Sequence, residues 1–239
     1  MENRGTVLIV GANRGVGFEL GSKLLQSGYL VYGTHRPETK GDPSVSQMIQ
    51  QGIKSLEMDF TDEESIIAAS KHFSDQPLDV LINCAGVYYP WDDKPFTELT
   101  ADDLISHFKV NTVGPFLTSK HFLSALAHSK AGKIINISSD LASIADNTGG
   151  NACYRISKCA LNQLTKNAAM DLEKIAPNVK IIAVHPGYVP TKMTGYVGED
   201  DMVKCIQGLG EIVERFGTPG EEKLPNGGYV RWSGEIMRY

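Results

Sequence analysis

Tyr154 and Lys158 stand four positions apart, so on a helix they share one face, one above the other. A phenol at its ordinary pKa of about 10 is a poor acid or base at neutral pH. A neighbouring ammonium stabilises the phenolate and brings that value toward the working range. The pair therefore suits proton transfer, with Lys158 tuning Tyr154. The same spacing also occurs on the exposed face of many amphipathic helices, so the pair has to be read together with the rest of the chain.

A second group lies near the start. Gly11-Ala12-Asn13-Arg14-Gly15-Val16-Gly17 has the spacing G-x3-G-x-G and follows an apolar run. Glycines permit a tight turn and close backbone approach, and a helix N-terminus offers free N–H groups and a positive dipole end to a pyrophosphate. The next predicted strand ends in Gly33-Thr34-His35-Arg36-Pro37. No carboxylate stands there, where NAD enzymes place Asp or Glu to bind the ribose hydroxyls. Arg36 can pair with a 2′-phosphate through its guanidinium fork, and Arg14, inside the turn, can reach the same anion. The expected cofactor is NADPH (NADP+), held in part by Gly11, Asn13, Arg14, Gly15, Val16, Gly17 and Arg36.

Such residues need a scaffold that brings strand ends and helix starts to one edge. Strands are predicted over 6–10, 29–34, 53–58, 79–83, 133–137, 179–184 and 228–231. Helices are predicted over 16–26, 44–51, 62–73 (capped by Thr61), 100–109, 112–128, 153–175 and 201–215. Several strands are nearly continuous in apolar residues, which suits a parallel sheet covered on both faces. Strands alternating with helices at this spacing imply right-handed βαβ units. The fold class is α/β, a single Rossmann-like doubly wound parallel sheet spanning 1–239. The segment at about 187–215, rich in Gly, Pro and charge, is the expected substrate-loop region.

Composition narrows the class further. The 239 residues are 41% hydrophobic and 21% charged, as in an ordinary globular protein. Twenty-three Lys and Arg against 28 Asp and Glu give a net charge of −5, the wrong balance for a nucleic-acid binder. No apolar run approaches the roughly 20 residues of a membrane span. Val7-Leu8-Ile9-Val10 is too short for a signal-peptide core. Cys84, Cys153, Cys159 and Cys205 have neither CxxC nor metal spacing, so no metal is expected and a reducing, cytoplasmic setting is.

Further along stand Asn83-Cys84-Ala85-Gly86, Asn111, Ser138-Ser139, Tyr154-x-x-x-Lys158, Pro186-Gly187 and Thr191. With the glycine turn, this ordered set resembles the short-chain dehydrogenase/reductase family over residues 7 to about 191. GANRGVG with THRPE, and Tyr229-x-x-Trp232-x-Gly234, resemble its small carbonyl reductase branch, which includes C-signal and sniffer-type proteins. The resemblance implies a catalytic set of Asn111, Ser139, Tyr154 and Lys158. Ser139 would hold the substrate oxygen, Lys158 would also bond the nicotinamide ribose, and Asn111 would open its helix to hold a water. Ser138 is the alternative serine. Fifteen residues separate Ser139 from Tyr154, two more than is commonest in the family. Asn111 also reads as an N-cap for the helix that follows.

The resemblance further implies cofactor contacts from Asp59, Phe60, Asn83, Ala85, Gly86, Pro186, Val189 and Thr191. Asp59 could instead only begin a loop. Cys84 and Val10 replace an Asn and a Thr usual in the family, so a sheet-supporting bond and a hydroxyl are expected to be missing. His185 reads as a packed strand residue. Tyr88, Tyr89, Trp91 and Tyr196 suit either an apolar substrate pocket or the packing of a lid or subunit contact. The implied activity is NADPH-dependent reduction of a small ketone or aldehyde. Alcohol oxidation, enone reduction and a dinucleotide-sensing role stand as alternatives, and relatives form homodimers or homotetramers.

Overall fold

In the computed structural model, residues 4–89, 94–218, 220 and 223–239 are described. Seven strands make one sheet in the order β3-β2-β1-β4-β5-β6-β7. They are β1 (Thr6–Val10), β2 (Leu30–His35), β3 (Lys54–Glu57), β4 (Val80–Asn83), β5 (Gly132–Ile137), β6 (Val179–His185) and β7 (Tyr229–Arg231). Every neighbouring pair of these strands is parallel. The helices are α1 (Gly15–Gln26), α2 (Pro43–Gln50), α3 (Glu63–Ser70), α4 (Ala101–Phe108), α5 (Gly114–Ala127), α6 (Ala152–Ile175) and α7 (Met202–Arg215). No helix among the described residues is long and apolar enough to cross a membrane.

The apolar runs explain the layering. In β1, Val7 and Ile9 join a core that includes Leu20 and Leu24 of α1, Met48 of α2 and Leu209 and Val213 of α7. Leu8 and Val10, pointing the other way, join Ile66 of α3, Phe122 of α5 and Leu172 of α6. Successive side chains of a strand face opposite sides, so a strand buried on both must be apolar at every position. Strand order reverses between β1 and β4, and the crevice outside their carboxyl ends is where open α/β sheets bind ligands.

Two local expectations need correction. Asp62, not Thr61, caps α3, because Asp62 Oδ1 accepts from the Glu64 N–H at 3.1 Å. Thr61 is already committed to Asp59, donating from both its backbone N–H and its hydroxyl. Asn111 is not an N-cap either. It lies inside a π-helical turn, Lys109–Val113, that joins α4 to α5 without a break in helical backbone.

Candidate active site

The first two turns of α6 carry the Tyr–Lys pair toward the end of β5. Tyr154 is 9% exposed and Lys158 is 4% exposed. Lys158 Nζ donates to the Ile137 carbonyl at 2.7 Å and stands 5.9 Å from the centroid of the Tyr154 ring. Tyr88 packs edge-on against Tyr154 with ring centroids 5.4 Å apart, and its hydroxyl donates to Asn151 Oδ1 at 2.8 Å. His107 of α4 closes a further side at 6.5 Å. This aromatic wall keeps water from the phenol.

The two serines take different roles. Ser138 Oγ donates to Asn162 Oδ1 at 2.6 Å, tying β5 to α6. Ser139 caps the short 3-10 turn Asp140–Ala142, and its hydroxyl is within hydrogen-bonding reach of Tyr154. The longer interval between Ser139 and Tyr154 is taken up where Gly149, Gly150 and Asn151 all adopt positive φ and return the chain into α6. Arg155, which the sequence reading passed over, holds this loop through the Gly150 carbonyl at 3.0 Å and the Thr148 hydroxyl at 3.3 Å.

Asn111 is fully buried. Its amide donates to the Val87 carbonyl at 2.9 Å and to Ser157 Oγ at 3.0 Å, and its oxygen accepts from the Val87 N–H at 2.9 Å. The π turn frees helical backbone beside it. Asn111 therefore locks the segment after β4 onto α6, one residue before Tyr88.

Burial sets the electrostatics. Desolvation pushes the Tyr154 phenol up to about 12, against the pull of the Ser139 hydrogen bond, and the charge of Asp140 adds to the rise. Burial also brings Lys158 down to about 8. The expected lowering of Tyr154 by Lys158 is thus outweighed here, since the ammonium is aimed at Ile137 and is itself held toward neutrality. Cys84, where the family has Asn, is pushed up to about 12 by burial and is an inert packed thiol beside Lys158.

The glycine turn sits across the crevice. Gly11 has φ +82°, and a Cβ there would come within 2.9 Å of the Ala85 backbone. A Cβ on Gly17 would fall 2.3 Å from the Gly11 carbonyl oxygen. The turn can close only with glycine at both places. Arg14 begins α1 with extended backbone and no side-chain cap, leaving the first N–H groups of that helix open to an anion. Thr191 reaches this turn, its methyl 3.7 Å from where a Gly15 Cβ would lie. Gly86 faces the other half of the crevice, 3.2 Å from Asn111 Oδ1 and 3.5 Å from Lys158 Nζ by the same measure.

Most other residues singled out in the sequence have their side chains committed to packing or to other partners. Asn83 spends its side chain on Asn136 at 2.8 Å and Thr118 at 2.7 Å. Phe60 is a core residue seated on Gly114. Val189 is buried, and Pro186 leads into Gly187 at φ +95°. Asp59 turns one oxygen onto Thr61, so it does build a loop. Asn13 donates to Ser44 Oγ at 2.9 Å, and Val16 packs on the core. Arg36 is exposed and paired with Glu38 at 2.9 Å. That carboxylate is the residue immediately after the acid-free tract. The Ser44 hydrogen bonds hold the Asp42 carboxyl below its usual range, and the charges of Lys192 and Arg14 add to that pull. Tyr196 is 73% exposed and has positive φ, and Trp91 lies outside the described residues. His185 is 3% exposed and held toward its neutral form by burial, as a packed strand residue should be.

Comparison with known proteins agrees with this fold. The short chain dehydrogenase family matches residues 5–202. A 3-oxoacyl-acyl-carrier-protein reductase of Aquifex aeolicus is 32% identical over 225 residues, covering 90% of this chain and 85% of that protein. The crystal structure of an NADPH-bound carbonyl reductase from chicken fatty liver superposes over the full length of both chains, with a TM-score of 0.85 and 27% identity. The carbonyl reductase Sniffer of D. melanogaster gives a TM-score of 0.85 and 29% identity over 98% of this chain and 99% of its own. A buried Tyr–Lys pair on α6, a serine at the end of β5 and a glycine turn after β1 thus occur in a chain that belongs to the short-chain dehydrogenase family.

Proposed function

We propose that this protein is an NADPH-dependent carbonyl reductase acting on a small ketone or aldehyde. The observation that carries the reading is the buried Tyr154, flanked by Ser139 and Lys158, at the crevice whose far wall is the glycine turn. Gly11, Asn13, Gly15, Val16, Gly17 and the open start of α1 would hold the pyrophosphate, and Arg14 and Arg36 the 2′-phosphate. The backbones of Asp59, Phe60, Asn83, Ala85 and Gly86, and Pro186, Val189 and Thr191, would line the adenine and nicotinamide ends. NADPH supplies the hydride when bound.

The remaining chemistry belongs to the chain. Ser139 Oγ holds the carbonyl oxygen and polarises the C=O bond. Tyr154 gives its phenolic proton to that oxygen as negative charge develops there. Lys158 stabilises the phenolate that results and passes a proton back, and Asn111 holds the water that links Lys158 to solvent. Of the expected loop region 187–215, the part before α7 covers the substrate side, since α7 packs its apolar face into the core. The 1–239 chain works as one domain.

Two measurements test this together. Fluorescence titration should show tighter binding of NADPH than of NADH. Tyr154→Phe should bind NADPH as the wild type does while losing at least about a thousandfold in turnover of an activated aldehyde such as 4-nitrobenzaldehyde. Full activity in Tyr154→Phe, or no binding of either dinucleotide, would reject the reading.

A further inference from the structure

Ser139 Oγ has one proton and two oxygens competing for it. It donates to Asp140 Oδ1 at 3.1 Å and accepts from the Leu141 N–H at 3.2 Å, with the Tyr154 phenol in reach on its remaining side. Asp140 Oδ1 also accepts from the Leu141 N–H at 2.9 Å. A contact of 3.1 Å is long for O–H···O, so the hydroxyl can give it up. Three elements face Asp140: β6 with His185 Nδ1 at 3.8 Å, beyond hydrogen-bonding reach, β7 with Tyr229, and α6 with Tyr154. Both His185 ring nitrogens are buried without a hydrogen bond, and the Asp200–Arg231 pair lies on their far side. Tyr154 itself faces Lys158, His107 and Tyr88.

We propose that Asp140 is a positioning residue for this reaction: it competes for the single proton of Ser139 and so keeps Tyr154 in its protonated, proton-donating form. The proposal rests on the roles of Ser139 and Tyr154 given above. The ionisations that kcat/KM reports are those of the free enzyme. There, while Tyr154 is neutral, Ser139 directs its proton to Asp140. A bound carbonyl oxygen displaces that carboxylate and takes the proton. Once Tyr154 is a phenolate, Ser139 must turn that proton to the phenolate and abandon a carboxylate that already repels the new charge. Both effects oppose ionisation of Tyr154. Carbonyl reduction needs the phenol and alcohol oxidation needs the phenolate, so Asp140 widens the pH range of reduction at the expense of oxidation. The overall equilibrium of the reaction is untouched.

Asp140→Asn keeps the shape and an acceptor for Leu141 while removing the charge, and Asp140→Ala removes both. The test is the pH profile of kcat/KM for 4-nitrobenzaldehyde reduction by NADPH in the wild type and both variants, with NADPH affinity measured alongside. Lys158 releases its proton first, at about 8, so the step to read is the second alkaline loss, that of Tyr154. That step should move down by about one pH unit in each variant, the scale of one nearby charge, with NADPH affinity unchanged. Coincident limbs in active variants would overturn the role of Asp140 and leave the reductase reading standing. A wild type with no turnover and no NADPH binding would overturn that reading and this role with it. Variants that lose NADPH binding along with activity would make Asp140 a structural residue and also refute it.

Discussion

The Tyr229 hydroxyl donates to the Ser139 carbonyl oxygen at 2.5 Å, joining the last strand of the sheet to the serine of the site. Tyr229 is 1% exposed, and burial holds its phenol well above the usual range, so it remains a donor at all working pH values. Tyr229→Phe leaves the ring in the core and Ser139 without this partner. Stability should fall by about 1–3 kcal/mol, the cost of an unsatisfied buried acceptor. Turnover should drop several-fold while NADPH affinity holds, since β7 is remote from the glycine turn. Thermal melts and a kcat against Kd comparison check both, and unchanged melting would show that the bond contributes nothing.

Gly17 gives a sharper steric case. A Cβ there would meet the Gly11 carbonyl at 2.3 Å, a backbone atom that cannot swing aside. Gly17→Ala should therefore cost about 1–3 kcal/mol or more and displace the start of α1, weakening NADPH binding at least tenfold. Gly41→Ala is the control. Nothing lies within 4 Å of its Cβ position, so it should be neutral or up to about 1 kcal/mol stabilising.

Dinucleotide preference turns on Arg36. Its side chain is 57% exposed and bound to Glu38, a carboxylate that would both occupy the guanidinium and repel a 2′-phosphate. Arg36→Ala should weaken NADPH by about tenfold or more and leave NADH nearly unaffected. Glu38→Gln should act oppositely, tightening NADPH a few-fold. Titrations of both dinucleotides against each variant decide the matter, and equal effects on NADPH and NADH would assign Arg36 to general binding.

The elements most legible in the sequence were those whose signal is local. Continuous apolar strands between amphipathic helices led to the parallel sheet, and most element ends fell within one or two residues of their place. The Tyr–Lys pair and the glycine turn were legible because spacing alone puts them on a shared face or in a tight bend. Contacts made across the sheet were not. Nothing in the sequence tells that Tyr229 meets Ser139, that Arg155 ties down the loop before α6, or that Glu38 folds back on Arg36. The lowering of Tyr154 by Lys158 failed for a related reason, because burial acts through every neighbouring group and no spacing rule measures it.

That burial makes a last prediction about stability. Lys158 titrates at about 8 in the fold instead of its ordinary 10.5. Between these values the unfolded chain holds a proton that the folded chain has released, so stability rises with pH. The gain is complete above 10.5 and is lost as pH falls through 8. Lys133, also lowered by burial, works in the same direction, whereas Tyr154, raised from 10 to about 12, works against stability above pH 10. Cys84, raised from 9 to about 12, and Cys205, raised from 9 to about 11, also work against stability above pH 9. The difference between the wild type and Lys158→Met is therefore what isolates Lys158 between pH 8 and 10. In denaturant melts the wild type should gain about 1–3 kcal/mol relative to Lys158→Met across this window. At pH 7 the variant should be at least as stable as the wild type despite leaving the Ile137 carbonyl without its donor, because the cost of burying an ammonium is gone. It should also be inactive. A difference between the two proteins that stays constant from pH 8 to 10 would show that Lys158 stays charged in the fold, with the Ile137 carbonyl compensating for its burial.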